Sequence, residues 1–154
     1  MKINRIATAI AVAVCTALCG SFAVSAGHSA SSNFIQYCSG CHGQNGRGAG
    51  VNSGIPDFKN FVGAFASEDG GRTYVLHVPG VVNTNLDDAE IAAVMNYIMR
   101  TWGGTSLRAD FVEFTADEVR ERRARSVPDV VALRRRVVER LHANGIATAD
   151  YPWP

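Results

Sequence analysis

Cys38-Ser39-Gly40-Cys41-His42 sets two thiols three positions apart, with an imidazole directly after the second. Two thiols at that spacing, at the end of a helix, can add to the two vinyl groups on one edge of a porphyrin. The next residue then lies beneath the ring, where its imidazole binds the iron from the proximal side. The motif therefore predicts one covalent haem c, attached at Cys38 and Cys41, with His42 as proximal iron ligand. Zinc is a rival, but a tetrahedral site needs four ligands, or three and a water. The other two cysteines of the chain, Cys15 and Cys19, fall within its first twenty residues. A thioredoxin-like redox pair is the second rival, and it expects a βαβ setting for which this sequence has no strand pattern.

The N-terminus suggests where such chemistry would operate. Lys2 and Arg5 precede an apolar run from Ile6, and "AVSA" ends at Ala26. A basic start, an apolar centre and small residues before a cut describe a secretory signal peptide over residues 1–26, and so a periplasmic protein. The competing reading is an uncleaved anchor, because residues 6–26 are almost long enough to span a bilayer. With cleavage, no membrane span remains in the mature chain. Residues 27–154 have the size of one domain. They hold 13 basic and 14 acidic side chains, a balance that generates no strong field for nucleic acid or anionic lipid. Exported proteins keep disulfides, yet one close cysteine pair makes no disulfide framework.

The elements that must position the cysteines follow from periodicity and caps. "SSNFIQY" reads as a short helix into Cys38, with Phe34, Ile35 and Tyr37 as its apolar side. "GQNGRGAGVNSGIP" has five glycines and a proline, so it is a loop with tight or left-handed positions. A short helix is expected around residues 72–77, stopped by Pro79 and Gly80. The clearest helix is "NLDDAEIAAVMNYIMRTWGG": Asp87 and Glu90 form a capping box, Ile91, Val94, Met95, Ile98 and Trp102 recur at helical spacing, and Gly103 ends it. Beyond it, "FTADEVRERRARS" carries Thr115 and Glu118 in capping-box register. "SVPDVVALRRRVVERLHANG" opens with Ser126, has Pro128 in its first turn and ends at Gly145. Val130, Leu133, Val137 and Leu141 make its apolar stripe, and Arg134, Arg135, Arg136 and Arg140 crowd the rest. No internal repeat and no convincing strand is present.

On "CSGCHGQNGRG", Pro56 and "LDDAEIAAVMNYI", residues 31 to about 104 resemble the small monohaem class I c-type cytochromes of bacteria. The resemblance implies an all-α fold of three short helices around one covalent haem. It implies that the Pro56 carbonyl accepts a hydrogen bond from the free ring nitrogen of His42, fixing its tautomer. It also implies that Tyr97 packs the last helix on the first, and that Val94 and Ile98 face the haem edge. Phe58, Phe61, Phe65, Tyr74 and Leu76 are the further expected neighbours of the haem. The chain divides into signal peptide 1–26, cytochrome domain 27–105 and an Arg-rich helical C-terminal extension 106–154, which lies outside the resemblance and is expected to wrap the core.

The family commonly takes its distal methionine from the loop before the last helix. Here that segment, "YVLHVPGVVNTNLDD", has none. His77 stands in about that place and is the candidate distal ligand; two-histidine ligation would lower the reduction potential relative to a methionine–histidine pair. Met95 and Met99 are competitors that more often fill cores, and an open or water-bound iron is the remaining outcome. His28 and His142 carry no special role. The implied activity is single-electron transfer between a periplasmic dehydrogenase or another cytochrome and a downstream acceptor such as an oxidase, with no catalytic acid, base or nucleophile arranged for turnover. The alternatives are a haem protein with an open distal site, acting as a ligand sensor or peroxidase-like enzyme, and a haem subunit of a dehydrogenase complex. The arginines of the extension read as a solvated face, with docking to an acidic partner as the functional alternative.

Overall fold

The computed structural model describes residues 29–48 and 54–151. The segment read as a signal peptide, His28, part of the glycine loop and the last three residues lie outside them. Every regular element among the described residues is helical. Over the described residues the fold is all-α, as the sequence implied.

Helix α1 (Ala30–Tyr37) begins where the Ser29 hydroxyl accepts a hydrogen bond from the Ser32 amide. It passes through Cys38 into a single turn, α2 (Ser39–His42). Two short helices, α3 (Val62–Ala66) and α4 (Asp69–His77), follow the glycine loop. The turn α5 (Pro79–Val82) leads to the long α6 (Asp88–Trp102). The capping box at its start is complete: Asp87 Oδ1 accepts from the Glu90 amide at 2.8 Å, and Glu90 Oε2 accepts from the Asp87 amide at 3.0 Å. A 3₁₀ turn at Gly104–Ser106 connects to the extension, α7 (Ala116–Arg123) and α8 (Val130–Ala143).

Helices α1 and α6 meet through aromatic rings. Phe34 is fully buried, with its ring centroid 4.6 Å from Trp102 and 5.8 Å from Tyr97. Tyr97 meets Trp102 edge-on at 5.6 Å, so it joins the two helices as the resemblance implied. Each such ring pair contributes about 0.5–1.5 kcal/mol beyond its buried area.

Two boundaries differ from the sequence reading. Helix α4 starts at Asp69 because Glu68 caps it, accepting from the Gly71 amide at 2.7 Å. Helix α8 starts at Val130, capped by Asp129, which accepts from the Ala132 amide at 2.8 Å. Ser126 could not start it, because Val127 precedes Pro128 and the proline ring disfavours helical backbone at the residue before it.

The extension completes the core. Val119 and Val137 are fully buried and Leu141 nearly so. Its arginines depart from the expected solvated face. Arg122 is 8% and Arg134 only 2% exposed. The Arg134 guanidinium lies over the rings of Phe65, Tyr74 and Tyr151 and donates to the Tyr74 hydroxyl at 3.1 Å. Glu118 does not close the expected capping box. Thr115 Oγ1 accepts from its amide, but its carboxylate is held by Arg72 in a two-pronged contact at 2.6 and 2.5 Å and by Arg122 at 2.7 Å. Arg140 to Glu68 and Arg123 to Asp88 add further ties between extension and core.

Candidate functional site

The attachment residues sit on the tight junction of α1 and α2. Amides of Cys41 and His42 both donate to the Cys38 carbonyl, at 3.2 and 3.0 Å. The chain therefore winds one turn between the cysteines, which is how the C-x-x-C spacing brings both sulfurs to one side. Both cysteines are free thiols; Cys38 is half-buried and Cys41 exposed. Burial, reinforced by the neighbouring Cys41, pushes the Cys38 thiol up to about 11. That mutual influence requires the two sulfurs to be close together.

His42 is oriented by packing. Its ring stacks on Phe58, with centroids 4.0 Å apart and planes 20° from parallel. Phe58 is fixed in turn by its amide, which donates to the Gly46 carbonyl at 2.8 Å, and by Trp102, 6.0 Å away. Gly46 is at φ +73°, and a Cβ there would meet the Trp102 ring at 2.8 Å. Only glycine can let the loop lie against α6 in this way.

Burial lowers the His42 pKa to about 4, against a smaller raising effect of the Pro56 carbonyl. The imidazole is therefore neutral at physiological pH, the form that can donate to a metal. Pro56 has no N–H, so its backbone contact with the ring is through its carbonyl. Nδ1 is nonetheless buried without a hydrogen-bond partner. The Pro56 carbonyl thus faces the ring, but the bond between them is approached rather than closed.

These residues fit a covalent haem. Two adjacent free thiols on one turn, a neutral imidazole next to them and a carbonyl facing that ring make the donor set the porphyrin requires. Val94 and Ile98, both on one face of α6, are 2% and 4% exposed within the apolar core. Phe65, Tyr74 and Leu76 are likewise buried, and Phe58 and Phe61 half-buried. No cluster of three or more metal-ligating side chains occurs among the described residues, so they offer no tetrahedral zinc site of the usual kind.

His77 lies where α4 meets the extension. Its Nδ1 lies 2.8 Å from the Thr73 carbonyl, and its Nε2 lies 3.0 Å from the carbonyl of Arg125, just beyond α7. Both ring nitrogens are turned to carbonyl oxygens in the seam between core and extension. Distal ligation by His77 would need one of these nitrogens to turn to the metal instead. Spacing in the sequence does not reveal the observed arrangement, since the Arg125 carbonyl is 48 residues away and belongs to no motif. The Glu118 carboxylate between Arg72 and Arg122 is hidden for the same reason, although Glu118 itself stands out as a cap residue.

A thiol pair and an adjacent neutral imidazole, just beyond the first of two aromatic-locked helices, define a chain built to carry one porphyrin covalently. Residues 31–102 match the cytochrome c family. Two proteins named cytochrome c-552, both from Thermus thermophilus, are each 33% identical to the chain over 108 residues. The match covers 58% of this chain and 81% and 72% of those proteins. The chain belongs to the cytochrome c family. It is a haem c protein and an electron carrier.

Proposed function

We propose that Cys38 and Cys41 bear the haem through thioether links, that His42 Nε2 binds the iron, and that the protein carries single electrons in the periplasm. Its donor would be a dehydrogenase or another cytochrome, and its acceptor a second cytochrome or an oxidase. The observation that carries the reading is His42: neutral, stacked on Phe58, faced by the Pro56 carbonyl and one residue from the second thiol. Bound haem supplies a one-electron iron couple. The protein supplies the rest. Phe58 holds the imidazole plane, Pro56 favours the tautomer with its proton on Nδ1, and Val94 and Ile98 exclude water from the haem edge.

The arginines do not favour docking through the extension. Arg120, Arg122, Arg123, Arg125 and Arg140 all pair with acids of this same chain. Arg122, Arg123 and Arg140 reach Asp69, Asp88 and Glu68 of the core and hold the extension in place, whereas Arg120 pairs with Asp117 within α7.

Co-expression with a haem-attachment system tests the assignment. The exported protein should keep its pigment through acid–acetone extraction and take up one electron per chain in a reductive titration. Cys38→Ala should leave one thioether and shift the pyridine haemochrome band to longer wavelength. Removing residues 1–26 should leave colourless protein in the cytoplasm. Pigment that extracts freely from the intact chain would refute covalent attachment at this motif.

A further inference from the structure

Iron in a haem has two axial positions, and His42 accounts for one. Imidazole and thioether donors for the other are few. The described residues offer His77, His142, Met95 and Met99. His142 is exposed near the end of α8 and bonded to Thr148.

Helix geometry places the other three. On α4, Asp69, Thr73 and His77 are spaced four apart and share a face. The extension covers that face along its length. Arg122 donates to the Asp69 carbonyl at 3.0 Å and to Thr73 Oγ1 at 2.8 Å, and pairs with the Asp69 carboxylate at 2.8 Å. The Arg125 carbonyl closes it at His77. To reach iron, His77 would have to abandon both carbonyls and turn away from the seam.

On α6, at about 100° per residue, Asn96, Ala92, Met99, Asp88 and Met95 fall in one arc of roughly 100°. The extension segment holds that arc near both limits. Asn96 exchanges two hydrogen bonds with the Phe114 backbone, at 2.9 and 2.8 Å, and Asp88 pairs with Arg123 at 2.8 Å. Met99 lies between them, fully buried, and Met95 is 5% exposed at the margin. Val94 and Ile98 fall outside that arc.

We propose that the C-terminal extension draws His77, Met95 and Met99 to its own interface, and that the distal position of the haem receives an exogenous, uncharged diatomic ligand such as carbon monoxide or nitric oxide. The proposal rests on the haem assignment above. His77 is then a tether of the extension rather than an iron ligand. Such binding would involve no electron transfer and no proton, only donation of the ligand's lone pair to the iron that His42 would hold. The apolar core in which the haem would sit favours neutral diatomics over anions.

The test uses the full-length, haem-loaded protein. Dithionite-reduced protein titrated with carbon monoxide should show a saturable Soret shift, and the ferric form should be high-spin. His77→Ala and the milder His77→Gln should leave both spectra and the carbon monoxide affinity unchanged, yet make the extension more susceptible to limited proteolysis. Met95→Leu and Met99→Leu should also leave the spectra unchanged. A low-spin ferrous spectrum unmoved by carbon monoxide would overturn the inference and leave the electron-carrier assignment standing. So would a low-spin form that any of the four variants converts to high spin. Colourless protein from a competent attachment system would overturn both.

Discussion

Around His42 the chain keeps an imidazole neutral, stacks it on one phenyl ring and leaves Nδ1 short of a closed bond. Around His77 it turns both nitrogens to carbonyls of two different elements. The first region is assembled almost wholly from neighbours in sequence: Cys38, Cys41 and His42 on one turn, with Phe58 and Gly46 from the following loop. The second is assembled across 48 residues, by α7 folding back on α4. The lesson is that a histidine's role follows from what reaches its nitrogens, and only the first case is dictated by spacing.

The two regions should fail separately. Glu118→Gln gives the largest expected effect in the extension. It leaves Arg72 and Arg122, 12% and 10% exposed, facing a neutral amide. Removing one partner of a largely buried ion pair costs about 3 kcal/mol. Urea unfolding of the haem-loaded protein should register this loss while the Soret band in native buffer stays in place. A displaced Soret band would mean that the clamp and the haem site are one unit.

Acid sharpens the same contrast. Burial alone would raise the Glu118 pKa, but hydrogen bonds from Arg72 and Arg122 outweigh it and hold the carboxyl below its ordinary value of 4.5. A carboxylate with a depressed folded pKa contributes stability that is complete above the ordinary value and is lost as pH falls through the folded one. Stability of the wild-type chain should therefore fall more steeply below pH 4.5 than that of Glu118→Gln. Parallel pH profiles from chemical denaturation would exclude Glu118 as the source.

Gly46→Ala probes the attachment side. The new methyl would press on the Trp102 ring from a left-handed backbone, at a cost of about 1–3 kcal/mol. It should perturb the Phe58–His42 stack, seen as a broadened Soret band, and leave proteolysis of the extension unaltered.

The smallest expected change is a gain. Asn33 on α1 is 1% exposed, and neither atom of its amide has a hydrogen-bond partner. Asn33→Leu removes an unsatisfied buried group and should stabilise the protein by about 1 kcal/mol in the same urea assay. A loss instead would indicate that the haem-loaded core gives that amide a partner.

Much of the architecture is legible in the chain. Asp87 and Glu90 announce the start of α6 because a capping box acts over three residues. Phe34 and Tyr97 meet because α1 and α6 cross as the family resemblance implies. Arg134 is not legible, since an arginine among arginines on a helix looks solvated until Phe65, Tyr74 and Tyr151 are seen to enclose it. Ser126 looks like the start of α8 only if the effect of Pro128 on Val127 is left out.

The sequence by itself singled out Cys38, Cys41 and His42 as the residues proposed to hold the haem, because thioether chemistry demands donors at fixed separations along one turn. The all-helical fold followed from periodicities of the same local kind. Tertiary structure alone decided the surroundings of His77 and Glu118. Each meets a partner across the seam between core and extension, and a hydrogen bond or ion pair formed across dozens of residues leaves no regular interval in the chain by which to read it.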